Sequence, residues 1–176
     1  MPTKVMIMGL GPIGAGVARQ LVARKNFKIV SAVDIDPAKA GKDLGEVVGL
    51  GKRTGVKVGA DPAAAIRKTK PQVAVLCTSS ALKKVWPQVE AVLKLKVPIV
   101  STTEELSYPT KANMRYARIV HEMAKKAKVA VLGTGVNPGF VMDALPIMLT
   151  GVCERVDRVF VDRVQDPARL REEGVL

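Results

Sequence analysis

Six residues near the amino terminus raise the first chemical question. Gly9-Leu10-Gly11-Pro12-Ile13-Gly14 fits the pattern G-x-G-x-x-G, and Asp34 stands twenty residues beyond Gly14. Gly9 would permit a tight turn, Gly11 would let the backbone approach a pyrophosphate, and Gly14 would let a helix close on its strand. Pro12 suits a first helical turn, where its missing N–H has no partner to lose. The free N–H groups and partial positive charge of that turn are what phosphates need. A carboxylate at Asp34 can accept both ribose hydroxyls of NAD and would repel the 2′-phosphate of NADP. The next residue is Ile35 rather than the arginine of a phosphate clamp, although Lys39 and Lys42 are close in sequence. NAD is the expected cofactor, with NADP as the alternative. The bland reading of the same residues is a tight strand-to-helix turn, with Asp34 a turn residue before Asp36-Pro37.

Three further segments have the right composition to surround a dinucleotide. They are Cys77-Thr78-Ser79-Ser80, Ser101-Thr102-Thr103-Glu104-Glu105 and Gly133-Thr134-Gly135-Val136-Asn137-Pro138-Gly139-Phe140. Small, hydroxylated and glycine-rich residues can bond ribose and carboxamide while leaving space for a ring. Each follows an apolar run, and ligands of open α/β sheets bind beyond the carboxyl ends of the strands.

The elements that must position these residues alternate along the chain. Val5–Met8, Lys28–Val33, Val73–Cys77, Val97–Val100 and Val129–Leu132 read as strands, with a weaker one at Val56 and Val58. Helical periodicity falls between them: Ile13, Val17, Leu21 and Val22; then Ala65 and Ile66 after Asp61-Pro62; then Val85, Val89 and Val92-Leu93, with Pro87 near the helix start; then Met114, Ala117, Val120 and Ala124. Another helix is expected over about Val141–Leu149. Solid apolar strands alternating with helices mean parallel pairing with helices on both faces. The predicted fold class is α/β: a doubly wound, mostly parallel Rossmann-type sheet over residues 1–150. Residues 151–176 read as the start of a truncated carboxyl-terminal substrate or dimerisation domain, with Val156–Val164 as its first strand. Left unpaired, that strand would expose Val159, Phe160 and Val161 along an open edge, which predicts self-association.

Composition removes several function classes. The 176 residues are 48% hydrophobic and 25% charged, enough to build a core. No unbroken apolar run approaches the length of a membrane span, so no membrane partner is expected. Two cysteines, Cys77 and Cys153, both in apolar surroundings, exclude a disulfide framework and a multi-cysteine metal site, and favour a reducing, cytoplasmic setting. Twenty-eight Lys and Arg against sixteen Asp and Glu leave +12, an excess that suggests nucleic acid. The cations are scattered and only six aromatic residues are present, so a base-stacking platform is not expected. A basic surface suited to small anionic molecules fits better.

With these loops in hand, the chain resembles a known group. Val131-Leu-Gly-Thr-Gly-Val-Asn-Pro-Gly-Phe-Val-Met-Asp143, with Ser101-Thr-Thr-Glu-Glu-Leu106 and Val33-Asp-Ile-Asp-Pro-Ala-Lys-Ala-Gly-Lys-Asp-Leu-Gly45, is similar to the 2,4-diaminopentanoate dehydrogenase branch of the dihydrodipicolinate reductase-like superfamily. The resemblance implies an NAD(P)-binding domain followed by a larger α/β domain that carries an amino-acid-like substrate and homo-oligomer contacts. It also implies reversible hydride transfer at an amine or imine carbon. Residue by residue, it puts the pyrophosphate at Gly9, Gly11, Pro12, Ile13 and Gly14, and the adenosine ribose at Asp34. It puts the cofactor's middle at Thr78 and Ser79, the nicotinamide near Thr102, and the carboxamide or substrate near Asn137. Glu104 or Glu105 is a candidate for a substrate ammonium, or for a carboxylate at a helix start. The histidine-rich catalytic segment of true dihydrodipicolinate reductases is missing, and the single histidine, His121, reads as a helix-surface residue. No catalytic acid or base can be assigned. A true dihydrodipicolinate reductase of lysine biosynthesis is therefore an alternative rather than the expected role. A non-catalytic nucleotide-binding or sensing module is the reading from a different class.

Overall fold

Short apolar runs become parallel strands when helices cover the sheet they form. The computed structural model describes residues 1–164 and 166. Its strands are β1 (Thr3–Met8), β2 (Phe27–Val33), β3 (Val58–Gly59), β4 (Val73–Leu76), β5 (Ile99–Ser101) and β6 (Val131–Gly133). They pair in parallel in the order β3-β2-β1-β4-β5-β6. The helices are α1 (Pro12–Ala23), α2 (Leu44–Val47), α3 (Pro62–Thr69), α4 (Leu82–Lys94), α5 (Glu104–Ser107), α6 (Met114–Ala127) and α7 (Leu145–Leu149). This is the predicted doubly wound α/β sheet. Among the described residues no helix is long and apolar enough to cross a membrane.

Alternation along β1 feeds two cores. Met6 and Met8 point to a cluster that includes Leu76, Leu82, Val85, Val89, Ile99 and Val120, beneath α3, α4 and α6. Ile7 points the other way, to Leu10, Ala18, Ile29, Ala32, Leu44 and Val48, beneath α1 and α2. Helix ends follow local chemistry. Asp61 caps α3 by accepting the Ala63 and Ala64 N–H groups at 2.8 and 3.2 Å, and Pro62 occupies the first turn.

The second face is covered only in part. Register aligns Ala32, Ile7, Val75, Val100 and Leu132 in one row across the sheet. Ala32 and Ile7 are buried, Val75 and Val100 are half-buried, and Leu132 is 54% exposed. Exposure thus rises from β1 to β6, because α1 and α2 lie over the β1–β2 side.

Several boundaries differ from the predicted ones. On α1 the fully buried residues are Gly14 and Ala18, whereas Ile13 is 46% exposed. A glycine lets the helix axis approach the sheet so closely that the Gly14–Ala18 face, rather than the bulkier Ile13 face, turns inward. Strand β4 ends at Leu76 rather than Cys77, and Val56, Val97 and Val129 lie in the turns before their strands. Pro87 sits in the second turn of α4, not the first. Cys153 is exposed rather than apolar-packed. The segment Val156–Val164 forms no strand with any described residue and is almost wholly exposed, since a strand exists only where a partner takes its N–H and C=O groups. The carboxyl-terminal residues 167–176 lie outside the described residues.

Candidate functional site

Five strand ends come level along one edge. Val33, Met8, Leu76, Ser101 and Gly133 share a row, and the residue after each is bonded to the neighbouring strand. The N–H groups of Gly9, Cys77, Thr102 and Thr134 donate to Val33, Met8, Leu76 and Ser101 carbonyls at 2.8, 2.8, 3.0 and 2.9 Å. Asp34, Gly9, Cys77-Thr78 and Thr102 are thereby held on a single edge. The strand order turns back between β1 and β4, which is the switch point where open α/β sheets open a crevice.

The glycine positions separate structural from vacant space. Gly9 has φ +84°, and a Cβ there would lie 2.5 Å from the Cys77 carbonyl oxygen and 2.7 Å from Thr78 Cγ2. At Gly14 a Cβ would run into the Gly9 carbonyl oxygen. At Gly11 a Cβ meets no heavy atom within 4 Å, and the backbone φ of −70° suits any residue. Packing therefore explains glycine at 9 and 14 and leaves glycine at 11 unexplained by the protein itself. Gly11 is also the N-cap of α1, and no side chain caps that helix. A bare helix start beside an open glycine has the free N–H groups and the room that a phosphate would need.

Asp34 is tied into this loop. It is 8% exposed; its Oδ2 accepts the Leu10 N–H at 2.7 Å and the Lys39 Nζ at 3.1 Å, while Oδ1 accepts the Asp36 N–H at 2.9 Å. Burial works to raise its pKa, but the hydrogen bonds from Asp36, Leu10 and Lys39, with the Lys39 charge, hold the carboxyl below its ordinary value. Asp34 is thus ionised at neutral pH, and it both shapes the Gly-rich turn and ends beside it. The anchoring bond to Leu10 has no signature in spacing.

The β4 and β5 loops are laced together. The Thr103 hydroxyl donates to the Ser79 carbonyl at 2.9 Å, the Glu105 N–H donates to the Ser80 carbonyl at 3.2 Å, and Ser101 Oγ lies 2.9 Å from Thr103 Oγ1 in a buried network. Glu105 Oε2 accepts the Leu82 N–H at 2.7 Å, so it serves as the cap of α4. Glu104 Oε1 accepts the Ser80 hydroxyl at 3.3 Å. Of the two readings open for this pair, Glu105 takes that of a carboxylate at a helix start, and the helix it caps, α4, is one that sequence could not name. Thr78 is exposed and donates to Gln88 Oε1 at 2.7 Å, while Ser79 and Thr102 are half-buried. Thr102 hydrogen-bonds the Cys77 side chain, yet burial dominates and pushes that thiol up, leaving it un-nucleophilic at neutral pH.

Asn137 stands in a segment that packs against α5. The segment Val136–Ala144 breaks from helical geometry at Asn137, Pro138 and Gly139, and the Gly139 N–H donates to Asp143 Oδ2 at 2.7 Å. It follows β6, the strand three places from β1 in the sheet. His121 is exposed on α6, as expected of a surface residue.

Comparison with known proteins points in one direction. Residues 3–134 match the family described as Dihydrodipicolinate reductase, N-terminus. The chain is 35% identical to a 2,4-diaminopentanoate dehydrogenase of Acetoanaerobium sticklandii, an alignment covering 98% of this chain and 50% of that protein. The solved amine dehydrogenase of Mycobacterium smegmatis is 29% identical with a TM-score of 0.80, over 89% of this chain and 46% of that one. A dihydrodipicolinate reductase from Paenisporosarcina sp. TG-14 shares the fold, with 21% identity and a TM-score of 0.56 over 74% of this chain and 47% of that one. The chain spans about half the length of the relatives it matches.

Proposed function

Because the chain belongs to the Dihydrodipicolinate reductase, N-terminus family, we propose that it is the dinucleotide-binding half of an NAD(P)-dependent dehydrogenase acting at an amine or imine carbon. The observation that carries this reading is the open space at Gly11 beside the uncapped start of α1, with Asp34 at the end of β2 anchored to the Leu10 N–H of the same turn. A pyrophosphate fits there because backbone N–H groups and the helix dipole are free to face it. The residues proposed to hold it are Gly9, Gly11, Pro12, Ile13 and Gly14, with the adenosine ribose at Asp34, Thr78 and Ser79 along the middle, and Thr102 and Asn137 toward the nicotinamide. When bound, the nicotinamide would accept or give up a hydride. The chain's own part is to orient the dinucleotide across the edge and to keep the β4 and β5 loops rigid. The likeness to a 2,4-diaminopentanoate dehydrogenase and an amine dehydrogenase supports an amino-acid-like amine as substrate. Its binding surface and the homo-oligomer contacts are assigned to the half that the longer relatives carry.

A non-catalytic nucleotide module is the second reading. It is favoured by the engagement of Glu104 and Glu105 in loop contacts, which leaves this edge with no assigned acid or base. Calorimetric titration with NADH and NADPH tests the shared premise. A Kd below about 1 mM, worth about 4 kcal/mol, is expected for at least one; binding of neither refutes both readings. Amine-dependent NADH formation by the chain joined to a carboxyl-terminal half like that of its relatives would then separate enzyme from module.

A further inference from the structure

A lysine already occupies the carboxylate on which the preceding reading places the adenosine ribose. Lys39 Nζ lies 3.1 Å from Asp34 Oδ2 and 3.6 Å from Asp36 Oδ2, with 26% of its side chain exposed. The Leu10 N–H takes a second position on Asp34 Oδ2, and the Asp36 N–H takes one on Oδ1. An ionised carboxylate offers about four acceptor positions, so about one remains. Two ribose hydroxyls need two. Lys39 must therefore lean away from Asp34 before an NAD ribose can be held by both hydroxyls, and Asp36 is within its reach as the alternative anchor.

A 2′-phosphate meets the same pair differently. Its charge of about −2 would be repelled by a bare Asp34, but the Lys39 ammonium stands against that carboxylate, cancels its charge and so removes most of the repulsion. Lys42, the other nearby cation, is directed elsewhere: its Nζ is 3.9 Å from Glu46 Oε1. Arginine, the fork-shaped residue that would fix a phosphate tightly, does not follow Asp34; Ile35 does, at 87% exposure.

Resting on the dinucleotide reading, we propose that Lys39 is the residue that sets the choice of dinucleotide: paired with Asp36 it admits NAD, and paired with Asp34 it admits NADP. The site then accepts both cofactors with similar affinity, and Lys39 acts on the ribose end alone.

The test is calorimetric titration of the full 176-residue chain and its variants with NADH, NADPH, 5′-AMP and adenosine 2′,5′-bisphosphate. The unaltered chain should bind NADH and NADPH with Kd values within about tenfold of each other. Lys39→Met keeps the apolar stem and removes the charge; it should weaken NADPH and the bisphosphate by about tenfold or more and leave NADH and 5′-AMP unchanged or tighter. Lys39→Arg keeps the charge and should retain NADPH. Rising salt should weaken NADPH in the unaltered chain more than in Lys39→Met. A preference above about 100-fold in the unaltered chain, or equal losses of both dinucleotides in Lys39→Met, would overturn the proposal while leaving the dinucleotide reading standing. Binding of no nucleotide at all would overturn both.

Discussion

At the residue scale, two glycines three positions apart do different work, and substitution separates them. Gly14→Ala drives a Cβ into the Gly9 carbonyl, so it should lose about 2–3 kcal/mol of stability, read from urea unfolding. Gly11→Ala meets nothing in the protein and should melt within a degree or two of the unaltered chain, yet lose NADH affinity about tenfold or more. A Gly11→Ala chain that binds NADH normally would remove the pyrophosphate from this turn. Asp34→Ala should weaken NADH much more than NADPH, because it removes the ribose acceptor and frees Lys39 together; equal losses would reduce Asp34 to a turn residue. Acid sensitivity follows from the same bonds. A carboxylate held below its ordinary value contributes fully above about pH 4 and loses that contribution as pH falls through its folded value. Thermal melting should thus be flat from pH 7 to about 4.5 and fall below about 4. Asp43, kept low by the Thr54 N–H and further bonds from Gly45 and Gly55, adds its own share. Asp34→Asn should lower the plateau and shrink the acid fall without abolishing it; an unchanged fall would mean that Asp34 contributes nothing to it.

At the element scale, the β4 and β5 loops are positioned by bonds between elements distant in sequence. Glu105, from the first turn of α5, caps α4 because Ala81, at the N-cap position, has no side-chain acceptor. Glu105→Ala should therefore cost about 1 kcal/mol in urea unfolding, and Glu105→Gln less, since an amide oxygen can still accept the Leu82 N–H. Equal costs would place the effect in charge alone. Helices and strands themselves were readable because their apolar periods differ and because Asp61-Pro62 and the G-x-G turn punctuate them. The four-residue helices α2 and α5 were not readable. One turn carries too few residues to display a period, and tertiary contacts decide whether it forms.

At the scale of the whole molecule, the half-covered sheet face offers a second apolar surface for association beside the terminal segment, where Phe160 and Val164 are exposed. Leu132, with Phe140, Ile147, Met148 and Leu149 beyond it, is exposed by half or more, whereas Val156–Val164 offers no paired strand edge. Large exposed apolar surfaces favour association. Light scattering should accordingly show self-association that survives trimming after Gly151 and is reduced by Leu132→Lys combined with Ile147→Lys. Loss of association on trimming would return the effect to the terminal segment. The chain is also expected to bind dinucleotide without turning over a diamino acid, because hydride transfer needs reacting atoms held at roughly 3–3.5 Å. In this reading the half found in its longer relatives provides that hold. NADH formation at about 10 per second, an ordinary enzyme rate, by the 176 residues alone would refute it.

By itself the sequence determined the alternation of strands and helices, the parallel pairing and the glycine turn. Each of these follows from local period, backbone freedom and the handedness of crossovers. It also carried Asp34 at the end of β2, because spacing along a βαβ unit is a local quantity. The tertiary structure alone decided which polar groups are already spent. Glu105 on Leu82, Asp34 on Leu10, and Lys39 on Asp34 are matters of distance between segments, and hydrogen bonding has no period along a chain. It likewise decided that Gly11 faces open space while Gly14 faces the Gly9 carbonyl, two glycines that are chemically identical until the chain folds around them.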